Sequence, residues 1–341
     1  MRAVQYSAPA PDASTTDVVS SEPPAPGPGQ VAIDVEWAGI NFKDVMQRRG
    51  DPGYVPSWPF VPGLEVSGRV TAAGAGTDPA LVGRDVVAIT SDGGLAEVAV
   101  ADARLVAEIP ARVELREAAA VPGQLVTAVL LLEDFARVGP GDSLLVHSAA
   151  GVVGAAVAQL ARHLGASQLI GIVGATDRTA AACSLGYEPV SVRGVVAPSD
   201  IHDVTSGGGV DVVLDPQGTT MLDFDLDVTA PGGRVIVFGN AAGAPMSDPP
   251  PISTLMGKGV QLGGFSLAAL ISRAPEVVAG GLARALGYLA AGVLSPRIIE
   301  VENLEAVPAV HDALAAGSGR GKYVVRAAAS QSRSAEGLRR T

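Results

Sequence analysis

One stretch limits the folds open to this chain more than any other: Leu144-Leu145-Val146-His147-Ser148-Ala149-Ala150-Gly151-Val152-Val153-Gly154. The continuous apolar run over 142–148 predicts a strand buried on both faces, as in a parallel sheet. Residues 152–165 predict a helix ending on Gly165. Between them, small residues are spaced as Ala149-x-Gly151-x-x-Gly154. The missing side chain at Gly151 lets a pyrophosphate approach the backbone, and free N–H groups at the helix N-terminus then bind it. Gly154 lets the helix pack closely on the sheet. Alone, such spacing also fits a ligand-free strand–turn–helix; its place in a β/α series favours the phosphate reading.

That series follows at once. Strands are predicted over 168–173, 210–215 and 233–239, and helices over 177–185 and 219–229. Alternation in units of this length implies a doubly wound parallel sheet. A long helix over 274–292 and strands over 298–301 and 322–326 complete it. Residues 1–120 read instead as all-β, with strands over 31–37, 65–72, 84–90 and 95–100, which favours a barrel or sandwich. The Gly/Pro-rich connector 23–29 reads as a rigid turn. The tail 327–341 is expected to be disordered. A length of 341 residues suits two domains.

Composition excludes several classes. The hydrophobic fraction of 48% and charged fraction of 17% provide for large cores. One cysteine, Cys183, rules out an intramolecular disulfide, and its apolar helical surroundings suggest inert packing. Four histidines leave few soft metal ligands, and His147, on the buried strand, reads as a core histidine. A net charge of −11 argues against nucleic-acid or anionic-membrane partners. No signal-peptide pattern opens the chain, and the apolar segments 144–161 and 276–295 read as soluble elements, so a cytoplasmic location is expected.

The end of the second β/α strand addresses cofactor choice. Sites for NAD place Asp or Glu there to bind the ribose 2′-OH. Here the stretch is Ile172-Val173-Gly174-Ala175-Thr176-Asp177-Arg178, with Arg193 one strand later. A hydroxyl and guanidinium groups suit a 2′-phosphate, so Thr176, Arg178 and Arg193 point to NADPH. Asp177 reads as a helix N-cap.

Segments spread along the chain resemble one family. They are Ala38-Gly39-Ile40-Asn41-Phe42-Lys43-Asp44, Pro62-Gly63-Leu64-Glu65-Val66-Ser67-Gly68, Leu125-Val126-Thr127-Ala128, the 147–154 turn with Gln159-Leu160-Ala161, Gly209 to Asp215, Gly232-Gly233-Arg234 with Phe238-Gly239-Asn240, and Gly321 to Val325. In that order they resemble the zinc-independent medium-chain dehydrogenases/reductases, in the quinone oxidoreductase and enoyl reductase branch. The resemblance implies a fold of α/β plus β: a GroES-like barrel from 1–121 and 267–326, with a Rossmann domain inserted over 122–266. It also implies that the cleft between them holds nicotinamide and substrate. Zinc members carry Cys near Asn41 and Gly-His-Glu where this chain has Gly63-Leu64-Glu65; the first 146 residues contain neither Cys nor His. No metal site is therefore expected.

The resemblance implies hydride transfer from NADPH to an activated C=C bond of an enone or enoyl thioester, or to a quinone. Asn41-Phe42-Lys43-Asp44-Val45-Met46 is similar to a motif of polyketide enoyl reductase domains, which favours the enoyl reading. A pathway-specific reductive cyclase and a non-catalytic NADPH-binding homologue are the further alternatives. By resemblance, Asn41 and Thr127 lie near the nicotinamide, and Tyr54 is a substrate contact or proton donor. Ala150, Gly151, Val152 and Val153 bind the pyrophosphate, and Gly239, Asn240, Phe265 and Ser266 line the nicotinamide side. Lys43 and Asp44 are adjacent and ionisable. Val152 replaces a second family glycine, Arg178 a lysine and Val192 a tyrosine, and Asp215-Pro216-Gln217-Gly218 departs from the common Asp-Ser/Thr-x-Gly. A homodimer is expected, with 259–268 supplying the edge strand.

Overall fold

The computed structural model describes residues 1–54 and 57–327. Its strands are β1 (Arg2–Tyr6), β2 (Thr16–Ser20), β3 (Gln30–Gly39), β4 (Glu65–Ala73), β5 (Asp85–Ile89), β6 (Val98–Asp102), β7 (Val106–Glu108), β8 (Ser143–His147), β9 (Gln168–Val173), β10 (Val190–Val192), β11 (Val210–Asp215), β12 (Thr229–Val237), β13 (Gln261–Gly264), β14 (Ile298–Val301) and β15 (Lys322–Arg326). Its α-helices are α1 (Phe42–Arg49), α2 (Leu115–Ala118), α3 (Val126–Val129), α4 (Val152–His163), α5 (Thr179–Ser184), α6 (Pro198–Val204), α7 (Leu222–Val228), α8 (Ile252–Lys258), α9 (Leu267–Arg273), α10 (Pro275–Ala290) and α11 (Val307–Ala315). These elements form two compact units. One holds the described residues of 1–108, 299–318 and 323–327; the other holds 109–298 and 319–322.

The first unit is built on a sheet of order β14-β15-β3-β4-β5-β7, with β6 also pairing β3. The ladders joining β15, β3, β4, β5, β6 and β7 are antiparallel. Along β3, Val31, Ile33 and Val35 enter the core while Asp34 faces water, as a period of two requires. They pack with Val4, Tyr6, Val66, Val86 and Leu95. Each such aliphatic side chain contributes roughly 1.5–3 kcal/mol by leaving water. The all-β reading of 1–120 needs correction, because Phe42–Arg49 is helical. Asp44 accepts the Asn41 N–H at 2.7 Å at the helix start, and Arg48 and Arg49 lie in its last turn. An acid near the N-terminus and bases near the C-terminus both suit the helix dipole.

The second unit holds a parallel sheet of order β10-β9-β8-β11-β12-β13. The apolar strands 168–173 and 210–215 fall as the sequence predicts. The predicted helices 177–185 and 219–229 are shorter, and β12 begins at Thr229. Cys183 is exposed, which corrects its reading as inert packing in an apolar helix. The sequence reading gives 109–121 and 267–298 to the barrel; here both belong to the second unit. The cause lies in α10, where Tyr288 Oη donates to Glu133 Oε1 at 2.6 Å and Arg284 pairs with Asp134. Of the tail expected to be disordered, Ala327 is buried and donates to Glu36 O, and 328–341 lie outside the described residues.

Helical backbone also runs around α3. Val126 N–H bonds to Val121 O and Ala136 N–H to Leu131 O, so an i→i+5 turn flanks α3 on either side. Leu115–Phe135 is long and apolar enough to cross a membrane, but 78% of its most apolar window is buried inside the protein.

Candidate functional site

In the second unit, β8 leads through Ser148, at φ +55°, to Gly151 and then α4. The two glycines serve different ends. A methyl group added at Gly151 would meet only Ser148 O, at 3.0 Å; at Gly154 it would lie 2.4 Å from Ala149 O. Gly154 is thus required for close packing, while Gly151 leaves the mouth of the turn open. Helix geometry leaves the N–H groups of Val152, Val153 and Gly154 without intrahelical acceptors, a site that suits an anion. Val152 occupies the first helical position, so replacing the family glycine leaves the turn intact.

The end of β9 separates two arginines that the sequence reading joins. Arg178 donates from Nη1 to Gly319 O at 2.9 Å and from Nη2 to Ala150 O at 3.1 Å. Its guanidinium braces the phosphate-type turn. Thr176 opens the same short turn and accepts from Thr179 Oγ1 at 2.7 Å. Asp177 does not cap: Ala175 takes the N-cap position, and Asp177 lies 3.9 Å from Arg320. Arg193 is half-buried, and among the described residues no carboxylate stands in ion-pair range of it. Its Nη1 donates to Gln217 Oε1 at 2.6 Å, and its Nε is buried without a partner. Burial pushes its pKa down, against the attraction of Asp215.

Gln217 is a residue whose importance the sequence reading missed. Its amide Nε2 donates to Ser148 Oγ at 2.9 Å, and its backbone N–H to Asp215 Oδ1 at 2.7 Å. The signal was the departure Asp215-Pro216-Gln217-Gly218. Gly218, at φ +94°, lies so near Asn240 that a Cβ would stand 2.7 Å from Asn240 Oδ1. Asn240 Nδ2 donates to Ala244 O at 2.8 Å, whereas its Oδ1 is buried without a partner. A buried acceptor left over in this way suits a ligand donor. Gly239 adjoins Pro216 O, Phe265 packs edge-on against Phe135 at 5.0 Å, and Ser266 Oγ caps α9. Thr127 Oγ1 donates to Gly123 O at 2.6 Å, so toward a ligand it can only accept.

Behind this turn, His147 Nε2 lies 2.7 Å from Asp225 Oδ1. Asp215 adjoins them, and all three are buried, with ligand-type atoms within 4.8 Å of one another. Burial pushes the Asp215 carboxyl up to about 6; His147 opposes this and Asp225 reinforces it. His147 sits in the core, as its strand position implies.

In the first unit, Asn41 Nδ2 donates to the buried Glu65 Oε1 at 2.7 Å. Lys43 Nζ is held by Ser91 O at 2.8 Å and Asp92 Oδ1 at 3.1 Å, and Gln47 Nε2 joins Asp92 at 2.6 Å. Asp44 is buried as the partner of the Asn41 N–H. Tyr54 is half-buried, and burial, then Asp51, raise its phenol pKa, so it keeps its proton at neutral pH.

Two family models match the chain: an alcohol dehydrogenase GroES-like domain over residues 27–111 and a zinc-binding dehydrogenase over 152–280. Quinone oxidoreductase-like protein 2 of Bos taurus is 32% identical over 286 residues, covering 82% of this chain and 80% of the relative. Pikromycin polyketide synthase component PikAII of Streptomyces venezuelae is 37% identical over 230 residues, covering 67% of this chain but 6% of that protein. Escherichia coli quinone oxidoreductase complexed with NADPH superimposes with a TM-score of 0.86 at 25% identity, covering 96% of this chain and all of that one. Zinc does not fit the corresponding donor set here. Asn41 presents an amide N–H to Glu65, and Leu64 supplies only carbon, where a zinc site needs three or four N, O or S ligands. Fold and comparisons agree: the chain belongs to the medium-chain dehydrogenase/reductase family, a GroES-like domain joined to a Rossmann-type domain, in its quinone oxidoreductase branch.

Proposed function

We propose that this protein is an NADPH-dependent reductase of α,β-unsaturated carbonyl compounds, an enone or an enoyl thioester. The observation that carries the cofactor assignment is Arg193, a half-buried arginine answered by a neutral amide instead of a carboxylate. It retains a positive charge where a 2′-phosphate needs one. Likeness to an Escherichia coli enzyme solved with NADPH supports the same reading. When bound, NADPH supplies a hydride. The open Gly151 turn and the start of α4 hold the pyrophosphate, and Asn240 Oδ1 accepts from the carboxamide.

A β-carbon conjugated to a carbonyl accepts hydride without a Lewis acid. The α-carbon must then gain a proton, and Tyr54, which stays protonated at neutral pH, is the proposed donor. Thr127, an acceptor only, positions and does not protonate. Asn41 is oriented by Glu65 and contributes polar positioning. The similarity to PikAII and the Asn41–Met46 motif support the enoyl acceptor. A quinone is the second reading, supported by the quinone oxidoreductase-like relative.

The test is NADPH oxidation with a short enoyl thioester, an enone and a quinone in parallel. Preference for the thioester or enone supports the reductase. Preference for the quinone replaces it with the second reading, and tight NADPH binding without turnover removes both.

A dimer is also proposed. β13 closes one edge of its sheet, and Ile252 and Met256 on the preceding helix are 71% and 75% exposed. Light scattering should give about 68 kDa, twice the 34.2 kDa chain; a mass of one chain refutes it.

A further inference from the structure

Gln217 occupies an unusual position. It is 3% exposed, and both ends of its amide are spoken for. The carbonyl oxygen takes Arg193 Nη1 at 2.6 Å, and the amide nitrogen gives to Ser148 Oγ at 2.9 Å. Its own backbone N–H is fixed on Asp215 Oδ1 at 2.7 Å. One buried side chain thus ties the arginine after β10 to the turn that precedes α4. These segments are far apart in sequence, and among the described residues Gln217 is the hydrogen-bond partner that restrains the Arg193 guanidinium.

The chemistry of the partner matters as much as its position. A carboxylate in this place would hold Arg193 equally well but would cancel its charge and compete with any incoming phosphate. A carbonyl oxygen satisfies one of the five N–H donors, fixes the plane of the guanidinium and leaves the charge intact. Holding a long side chain in one rotamer before the ligand arrives also removes an ordering cost from binding. The other end of Gln217 acts on Ser148, whose positive φ sets the direction of the chain into Gly151.

We propose that Gln217 is a positioning residue that sets the preference for a 2′-phosphorylated dinucleotide, by aiming Arg193 without neutralising it and by locking Arg193 to the Gly151 turn. This rests on the assignment of NADPH above and deepens it. Gln217 need not touch the cofactor; its effect passes through Arg193.

The experiment measures dissociation constants of NADPH and NADH by fluorescence titration for the full chain and three variants. Gln217→Glu keeps size and shape but sets a negative charge on Arg193. Gln217→Met keeps size and loses both hydrogen bonds. Arg193→Ala removes the guanidinium. Arg193→Ala should weaken NADPH roughly 10- to 100-fold, the range of a charge-assisted contact, and leave NADH nearly unchanged. Gln217→Glu should weaken NADPH roughly tenfold or more, and Gln217→Met by less, again sparing NADH. Because NADH binding monitors the integrity of the turn, a merely structural role would weaken both dinucleotides together, and that result overturns the proposal. Preference lost in Arg193→Ala but kept in both Gln217 variants also overturns it, while leaving the NADPH assignment standing. A wild-type protein that binds both dinucleotides equally well refutes the assignment itself, and the proposal with it.

Discussion

The two units answer their buried arginines differently. In the first, a buried arginine meets a carboxylate. Arg48, fully buried, pairs with Asp312 at 2.6 Å and donates to Pro11 O at 2.8 Å, while Asp44 faces His311 at 3.7 Å. In the second, Arg193 is met by a neutral amide, Asn240 keeps an unpartnered oxygen, and two aspartates crowd one histidine. Polar groups that complete each other hold an architecture together. Unpartnered buried polar atoms occur in both units, Arg48 Nε and Asp44 Oδ1 in the first and Arg193 Nε and Asn240 Oδ1 in the second, each at a cost in stability. The difference lies in how the charge is answered, by a carboxylate at Arg48 and by an amide at Arg193.

Four changes would break or sharpen this contrast. The largest effect is expected from Gly154→Ala. Its methyl would collide with the Ala149 carbonyl, so α4 must move off β8; urea unfolding should show a loss of about 3 kcal/mol, accompanied by loss of dinucleotide affinity. Unchanged affinity would separate the packing role from the binding turn.

Next is Asp215→Asn, read against pH. The native carboxyl titrates near 6, above its ordinary 3.8, so the folded state holds this proton more tightly than the unfolded chain. The wild type carries no penalty below about pH 4, gains one between about pH 4 and pH 6, and keeps it above. Relative to wild type, Asp215→Asn should therefore gain about 2–3 kcal/mol of stability as pH rises from 4 to 7.5. A stability difference independent of pH would show that Asp215 is not strained by its burial.

Asp312→Ala, in the first unit, leaves Arg48 buried without its counter-charge. The expected loss is about 2 kcal/mol, moderated because Asp312 is 47% exposed. The ratio of NADPH to NADH affinity should not move; a change would erase the contrast between the units. The smallest effect belongs to Arg178→Ala, which frees the Ala150 and Gly319 carbonyls. Both dinucleotides should bind roughly fivefold more weakly, about 1 kcal/mol. A loss confined to NADPH would make Arg178 the reader of the 2′-phosphate after all.

That last case shows where sequence reasoning stops. The strand–turn–helix at 144–154, the β/α alternation and the missing zinc ligands are local patterns, and each is legible from spacing alone. Helix α1 was legible too, since Asn41 with Asp44 three residues on is a helix-start signal, but the surrounding strands masked it. The partners of Arg178 and Arg193 were not. One guanidinium reaches a carbonyl 141 residues away and the other an amide 24 residues away. Residue type predicts a positive charge at each position, and only the fold decides what each guanidinium holds. The unit boundaries were hidden for the same reason, because Tyr288 and Arg284 bind acids some 150 residues earlier.

Cys183 gives these questions a practical handle. It is the only thiol in the sequence, and the residue is exposed on α5, the helix that follows the Thr176–Arg178 turn. A single maleimide dye would therefore sit at one defined place on that helix, and its emission could follow dinucleotide occupancy without engineered cysteines. The same exposure lets air oxidation couple two chains through one sulfur–sulfur bond. A doubled mass counts as native assembly only when it survives reductant.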